Sequence, residues 1–204
     1  MITRTRTIIL PGWAGTPVEE EQAGWPVITS FEPSGGECEV ALTDLSHRPK
    51  AIVQGAAVEK LALKPGHARW DGQTFVGCLK PKEASLFDLT GPVEPEWTDV
   101  NYTDMTEGWV LLGIWGPKSL QVIQRLLKID IERPEITDPL YFATTSHGIP
   151  VQLINMKGST PGFCLACNRF HGQNLFDSCI RAGSHFDLKI RGTNAFYDWF
   201  NPII

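Results

Sequence analysis

The sequence has little positive charge, and this limits what the protein can bind. Its 204 residues contain 18 lysines and arginines against 23 aspartates and glutamates, which gives a formal net charge of −5 and a pI near 5.5. Proteins that bind a phosphate backbone usually concentrate basic residues on one face and are basic overall. We therefore expect no nucleic-acid partner.

Long hydrophobic runs are also missing near the N-terminus. The short apolar run at residues 8–10 ends at Pro11 and Gly12. A signal-peptide core needs about 7–15 apolar residues, and a membrane span needs about 20. We therefore predict a soluble, cytoplasmic protein without a membrane partner.

Cysteine is scarce, and its spacing is irregular. Five cysteines are an odd number, which suits reduced thiols better than a disulfide framework. The one close pair, Cys164 and Cys167, lies in a strand-like segment, where residues three apart point to opposite faces. The five histidines are scattered along the chain. Without a second cysteine pair or a spaced histidine motif, the sequence assigns no metal site.

Residues 1–37 lack a regular pattern. The stretch 11–37 holds four prolines, several glycines and a run of three glutamates at 19–21, which is typical of a loop with one short helix. We predict an irregular N-terminal segment over 1–37, followed by a single domain over 38–204.

Two stretches of that domain share one order of local structure: turn, strand, glycine, helix. The corresponding elements are the turns at Asp44 and Asp104, the strands at residues 51–53 and 109–115, the glycines Gly55 and Gly116, and the helices at about 57–62 and 118–128. When the two aspartates are aligned, the glycines differ by one position. We interpret this as an internal repeat that divides the domain into halves at about 38–101 and 102–204.

The remaining sequence alternates between strand and helix signals. We predict strands at residues 74–79, 84–89, 140–145, 149–156, 162–167 and 186–190, helices at 173–182 and 194–200, a polar turn at 67–73, and a connection between the halves at 90–101. Gly183 is predicted to cap the helix before it. Two similar halves of this kind indicate an α+β body of antiparallel or mixed sheets with helices on their outer faces.

Two motifs resemble a known family. The run A-L-T-D-L-S-H-R-P-K-A-I-V-Q-G-A-A-V-E-K-L-A-L-K-P-G-H-A-R-W at residues 41–70 resembles the early signature of the glycine-cleavage T-protein family. The run W-V-L-L-G-I-W-G-P-K-S-L-Q-V-I-Q-R-L-L at residues 109–127 resembles the gamma subunit of heterotetrameric sarcosine oxidase, a short member of that family. The resemblance extends over roughly residues 38–200.

The resemblance implies a T-protein-like folate-binding body with a central hole that receives tetrahydrofolate. It also implies one-carbon transfer of the aminomethyltransferase type, with a lipoyl carrier protein or oxidase subunits as partners. The sequence departs from the family in length, because a full T-protein ends in an additional β-barrel domain that has no counterpart here.

The resemblance also suggests individual site residues. Asp71 takes the approximate place of the catalytic aspartate, which would stabilise a cationic one-carbon transition state. Trp70 and Trp115 could stack on a flat cofactor, although large aromatic residues more often fill cores. Cys164 stands where the family places a folate-gripping acid, and a thiol cannot reproduce the paired, charge-assisted contacts of a carboxylate.

Two functions therefore remain open from the sequence. The first is a tetrahydrofolate-binding, aminomethyltransferase-like protein of one-carbon metabolism. The alternative is a non-catalytic assembly subunit, similar to the sarcosine oxidase gamma subunit, that has lost folate chemistry. Asp44 and Ser46 are better explained by a backbone-capping turn than by ligand binding, because a repeat would duplicate a structural turn.

Overall fold

The computed structural model describes residues 4–34, 36–59, 61, 63–71, 74–89, 101–127, 131, 140–156 and 160–200. Within these residues lie the strands β1 (Thr16–Gln22), β2 (Trp25–Glu32), β3 (Val40–Asp44), β4 (Lys50–Gln54), β5 (Ala68–Asp71), β6 (Thr74–Lys80), β7 (Glu83–Asp88), β8 (Asn101–Asp104), β9 (Trp109–Trp115), β10 (Leu140–Ser146), β11 (Ile149–Met156), β12 (Gly162–Asn168) and β13 (Leu188–Ile190). The helices are α1 (Ala56–Glu59), α2 (Ser119–Leu126), α3 (Gly172–Gly183) and α4 (Thr193–Phe200), with short 3₁₀ helices at Gly12–Ala14 and Arg169–His171.

The strands form two large sheets and one hairpin. The larger sheet has the order β10-β11-β12-β9-β3-β13, and the smaller has the order β5-β6-β7-β4-β8, while β1 and β2 pair with each other. All pairs are antiparallel except β13 with β3, which is parallel. The fold is therefore the mixed α+β architecture expected from the sequence.

Each repeat unit contributes one strand to each sheet. The first unit runs from β3 in the larger sheet to β4 in the smaller one, and the second runs from β8 in the smaller sheet to β9 in the larger one. The units pair reciprocally, β3 with β9 and β4 with β8. The repeated sequence pattern thus corresponds to two crossings between the sheets.

The turns at the two crossings are built in the same way. The Asp44 carboxylate accepts a hydrogen bond from the backbone N–H of Ser46 at 2.9 Å, and the Asp104 carboxylate accepts one from that of Thr106 at 2.8 Å. In each case the hydroxyl oxygen then accepts a backbone N–H from the other unit, Ser46 Oγ from Leu111 at 3.2 Å and Thr106 Oγ1 from Lys50 at 3.1 Å. These aspartates are structural, because their turns join the two units.

Successive side chains along each strand point to opposite faces of its sheet. The body therefore has four layers, which are α2 with α3, the larger sheet, the smaller sheet and α1. One face of the larger sheet packs against α2 and α3 through an outer core of aliphatic residues that includes Val110, Leu112 and Leu165. The far face of the smaller sheet packs near α1 through Val53, Val58 and Leu86. Between the two sheets lies a third set of side chains, the inter-sheet cluster, which consists of Leu45, Ala68, Phe75, Phe87, Leu89, Trp109, Leu111, Tyr141, Ile154, Met156, Cys164, Ala166, Phe196 and Phe200.

The N-terminal segment is more regular than the sequence suggests. Residues 16–32 form the hairpin β1-β2, which turns at Ala23 and Gly24 with positive φ angles of 50° and 80°. Its prolines Pro17 and Pro26 lie near strand ends, where a missing N–H is tolerated. The predicted irregular segment over 1–37 is therefore wrong in this part, whereas the division into segment and domain stays a prediction.

Smaller differences have local causes. The predicted polar turn at 67–73 contains β5, which pairs with β6. Gly183 is the last residue of α3 rather than a left-handed cap, and a Cβ there would collide with Leu188. The predicted connection at 90–101 lies outside the described residues except for Asn101, which begins β8. In the part of the chain that the structure describes, no helix is long and apolar enough to cross a membrane.

Candidate functional site

Three of the residues suggested by the sequence face the space between the two sheets. Trp70 on β5, Trp115 on β9 and Cys164 on β12 all belong to the inter-sheet cluster or pack against it. Asp71 is the last residue of β5 and pairs with Thr74 on β6. The fold therefore brings the aromatic and thiol candidates to one side of each sheet, as a binding site would require.

That space is filled by helix α4. Phe196 is fully buried there, and its ring lies 5.6 Å from that of Phe200 in a stacked arrangement. Trp199 stacks on Trp115 with ring centroids 5.4 Å apart, and Phe200 lies 5.4 Å from Trp70. The two candidate tryptophans are thus in contact with aromatic rings of the protein itself.

Two glycines make room for these rings. A Cβ at Gly113 on β9 would lie 3.1 Å from the Phe196 ring, and one at Gly162 on β12 would collide with the Trp199 ring. Glycine at both positions lets the helix approach the sheet more closely than a side chain would allow. The close contact between α4 and the larger sheet is therefore built into the strands.

The described residues at the centre of the inter-sheet space are packed against one another. The space between the repeat units holds Leu45, Trp109 and Leu111, packed with Tyr141 and the α4 aromatics. Close-packed apolar side chains exclude water and polar ligands from the space that they occupy. The open hole stays a prediction, because α4 supplies large aromatic side chains that occupy the centre of this space while a cleft of about 610 Å³ opens beside them between strands of both sheets.

Cys164 is placed where it cannot act as a polar ligand. Its side chain is fully buried, and its Sγ lies 3.6 Å from Sδ of Met156, to which it donates a weak hydrogen bond. Burial raises the pKa of the Cys164 thiol far above its ordinary value. Cys167 faces the outer core on the opposite side of β12, as the strand period predicts. Among the described residues, no group of three or more His, Cys, Asp or Glu side chains could hold a metal ion.

A group of ionisable residues at the first crossing was not anticipated from the sequence. Lys50 is 1% exposed, and its Nζ donates to the carbonyl oxygens of Ser46 at 2.7 Å and Arg48 at 2.6 Å. Burial lowers the pKa of Lys50 to about 7, although the nearby charges of Asp44 and Asp104 act in the opposite direction. This lysine holds the crossing turn in place from the inside.

The same turn anchors the smaller sheet. The Arg48 guanidinium forms an ion pair with the buried Asp88 carboxylate at 3.3 Å and lies 5.9 Å from the centroid of the Tyr197 ring on α4. Burial lowers the pKa of the neighbouring His47 to about 3, with further contributions from the charges of Arg48 and Lys50. The only sequence signal for this group was the run H-R-P-K before an apolar strand, which does not distinguish a buried cluster from a solvated turn.

Two of the clefts bordered by the described residues open beside the packed inter-sheet cluster, and both are lined in part by residues that belong to the cluster or pack against it. One, of about 610 Å³, is lined by the ends of β10, β11 and β12 together with Leu79, Trp109 and His171. The other, of about 780 Å³, lies near the edge of Trp115 between residues 34–39 and the start of α4. Trp70 and Cys164 line neither of these two clefts, so the three candidates do not share a common open surface there.

Comparisons with known proteins agree with this architecture. The model of the GCVT N-terminal domain matches residues 81–198. Among solved structures, the heterotetrameric sarcosine oxidase from Corynebacterium sp. U-96 in complex with pyrrole 2-carboxylate is similar with a TM-score of 0.61 and 19% identity, over 75% of this chain and 88% of that chain. A search of curated proteins found no match.

A second solved structure is similar over more of this chain. The glycine cleavage system aminomethyltransferase T from Bartonella henselae matches with a TM-score of 0.73 and 16% identity, over 97% of this chain. The chain spans 62% of the length of that aminomethyltransferase. At these identities the two structures show a shared fold.

Proposed function

Because the chain belongs to the GCVT N-terminal domain family, we propose that it is a T-protein-like subunit that serves one-carbon metabolism by associating with the subunits of an oxidase. In this role the chain contributes structure to the assembly and does not carry out folate chemistry of its own. The proposal adopts the alternative that the sequence leaves open.

The filled inter-sheet space is the observation that carries the proposal. Phe196 and Phe200 are at most 1% exposed, so tetrahydrofolate could bind at their positions only by displacing them. Moving a buried phenylalanine into water costs about 1.5–3 kcal/mol for its side chain alone. Binding would have to overcome that cost for each ring that is displaced.

The replacement of an acid by Cys164 supports the same conclusion. A carboxylate accepts two N–H donors in a charge-assisted geometry, whereas the buried thiol at this position already donates to Met156. Neighbours of the thiol across the sheet are Gly113 and Ile154, which offer no side-chain acceptor. A pterin would find no anionic partner on this strand.

Association with an oxidase is the positive part of the proposal. The similar sarcosine oxidase is described as heterotetrameric, and the present chain matches 88% of the aligned chain of that complex. A chain of this size and fold can therefore exist as a subunit of a larger enzyme. We extend that role to this protein.

A second candidate function is tetrahydrofolate-dependent aminomethyl transfer with a lipoyl carrier protein. The feature that favours it is that Trp70 and Trp115 are only partly buried. In that case Asp71 would be the catalytic residue. The purified chain should then transfer a one-carbon unit to tetrahydrofolate, and Asp71→Ala should abolish the transfer.

The leading proposal predicts assembly without transferase activity. The chain should be co-expressed with the other subunits of a heterotetrameric sarcosine oxidase and analysed by size-exclusion chromatography with light scattering. We expect one complex that contains this chain in fixed stoichiometry, and no one-carbon transfer above the rate without protein. Separate elution of the chain and the oxidase subunits would contradict the assembly role, and transfer that depends on Asp71 would favour the second candidate.

A further inference from the structure

We infer that the outer surface of the layer formed by α2 and α3 docks on an acidic surface of the oxidase partner. This inference rests on the proposed function, and it names the docking surface and the chemistry of the partner. The surface, the basic helical face, is defined by the exposed cations Lys118, Arg125 and Arg181. Lys118 directly precedes α2, while Arg125 and Arg181 lie in the last turns of α2 and α3.

The three cations are not neutralised by carboxylates of the described residues. The chain is short of positive charge, with 18 lysines and arginines against 23 aspartates and glutamates. Cations in other parts of the described chain do form ion pairs, and these include Arg4, Arg6, Arg48, Lys80, Lys82 and Lys189. Helix α2 contains no acidic residue, and the one acid of α3, Asp177, accepts a hydrogen bond from Gln173 at 2.9 Å. The positive charge of this face is therefore available to a partner.

Lys118 and Arg125 lie on one stripe along α2. They are seven residues apart, which is close to two helical turns, so their side chains leave the helix on the same side about 10 Å apart. The helix dipole favours a cation in a last turn, which gives Arg125 and Arg181 a local role, but it disfavours one at the start of a helix. Lys118 stands at such a start, and its side chain makes no capping hydrogen bond. The stability of α2 alone therefore does not explain this lysine.

Contacts within the molecule hold both arginines in place. The Arg125 guanidinium lies 4.5 Å from the centroid of the Phe186 ring and donates to the Ala182 carbonyl at 3.5 Å. The Arg181 guanidinium donates to the Ser178 hydroxyl at 2.9 Å. A guanidinium has several N–H donors in a planar fork, so each arginine keeps donors for a carboxylate of the partner. Side chains that are already ordered lose little freedom on binding, and arginine is enriched among interface anchor residues.

Apolar side chains accompany these charges. Leu120 on α2, Ile180 and Ala182 on α3, and Phe186 after α3 pack against the outer core and remain partly accessible. Protein interfaces combine an apolar centre with polar contacts around it. The basic helical face can therefore offer a partner both kinds of contact.

Charge complementarity selects an acidic partner. The chain as a whole has a net charge of −5, so its remaining surface repels an acidic protein while the basic helical face attracts it. Asp187, which follows Phe186, is paired with Lys189 at 3.5 Å and so does not cancel the charge of Arg125. Complementary charges of this kind orient two proteins as they meet and accelerate association, and salt screens the effect. The partner surface that fits carries several carboxylates along a strip of about 10 Å or more.

The test compares two double variants that change the net charge equally. Lys118→Glu with Arg181→Glu reverses the basic helical face. Lys64→Glu with Lys82→Glu is the control, at exposed lysines on the side of the smaller sheet. Association with the other purified subunits of a heterotetrameric sarcosine oxidase is followed by stopped-flow fluorescence at about 50 mM and about 300 mM NaCl. At the lower salt concentration we expect the first variant to slow association at least about tenfold and the control less than about threefold. The difference should shrink at the higher salt concentration.

The remaining outcomes separate this inference from the proposed function. Equal slowing by the two double variants would show that only net charge matters, which would overturn the basic helical face and leave the assembly role intact. Failure of the unmodified chain to bind the oxidase subunits would overturn both. Binding to phosphatidylserine vesicles, or self-association at low salt, that the first variant abolishes would overturn the choice of partner, because a lipid surface or a second copy would then occupy the face. A melting temperature like that of the unmodified chain confirms that each variant is folded.

Discussion

Replacing Phe196 with alanine is expected to lower the free energy of unfolding by about 3–5 kcal/mol, the usual range for a fully buried phenylalanine. Its ring is 0% exposed and contacts the rings of Tyr197, Trp199 and Phe200 between the two sheets. The cost combines the lost transfer free energy with the cavity left behind, which the strands around Gly113 cannot easily close. Urea denaturation followed by tryptophan fluorescence measures the change.

Phe170→Ala is the matched control for this experiment, because it removes the same ring from a position that is 85% exposed. Its effect on stability should stay within about 0.5 kcal/mol, as for most surface substitutions. If Phe196→Ala cost no more than the control, α4 would not fill the space between the sheets. The argument against a folate site there would then fail.

Replacing Lys50 with alanine is expected to destabilise the protein by about 3–5 kcal/mol, the cost of removing one partner from a buried charged group. Two carbonyl oxygens, those of Ser46 and Arg48, would lose their donor. Asp44 would lose the positive charge that partly offsets its burial, which already raises the pKa of that carboxyl above its ordinary value. Chemical denaturation at several pH values measures the effect.

Lys50→Met separates packing from charge, since methionine fills a similar volume. We expect a smaller loss, about 1–3 kcal/mol, from the two carbonyls that lose a hydrogen bond. In the unmodified protein the folded-state pKa of Lys50 is about 7 against an ordinary 10.5. Between these values the unfolded chain holds a proton that the folded chain has released, so stability should rise with pH through this window.

Lys50→Met lacks the titrating group and should not show that rise. The difference in stability between the two proteins should therefore change from about pH 7 to 10.5 in favour of the unmodified chain, by at most about 1.4 kcal/mol per pH unit. A constant difference across this range would show that Lys50 stays charged in the folded protein. A loss below about 1 kcal/mol for Lys50→Ala would contradict its structural role.

Much of the fold could be predicted because the spacing of apolar residues along the sequence corresponds to the cores on the two faces of each sheet. The run Trp109–Trp115 alternates between the outer core and the inter-sheet cluster along its length, and its sequence was recognised as a strand. The repeat was recognised from Asp44 and Asp104, since both turns use the same side-chain hydrogen bond. The strand and the two turns depend on residues that are close together in the sequence, so the local sequence was sufficient to predict them.

Other elements depend on distant contacts. The hairpin β1-β2 looked like a loop because its prolines and glycine are turn formers, yet β2 packs against the core through Val27, Ile28 and Phe31. Gly192 shows the same dependence, because its Cα lies against the backbone of Thr29, and a Cβ there would collide with it. No sequence pattern near the hairpin or near Gly192 reveals the distant residues that each of them contacts.

The candidate site was predicted only in part, for a related reason. Trp70, Trp115 and Cys164 were selected one by one, and the structure places them on the same side of the sheets. What the sequence could not reveal is that α4, more than a hundred residues after Trp70, fills the space between them. The aromatic run at the end of the chain was recognised as a helix, but its direction toward the inter-sheet space depends on Gly113 and Gly162.

The most direct test of the filled inter-sheet space is the stability of the purified chain in the presence of tetrahydrofolate. We predict no change in the free energy of unfolding with tetrahydrofolate up to about 1 mM, a concentration at which a Kd of about 10 μM would stabilise the folded chain by about 2.7 kcal/mol. The opposite result is a saturable stabilisation that reaches about 2.7 kcal/mol at 100 times a fitted Kd. That outcome would show that the folded chain holds tetrahydrofolate, and it would contradict a subunit without folate chemistry.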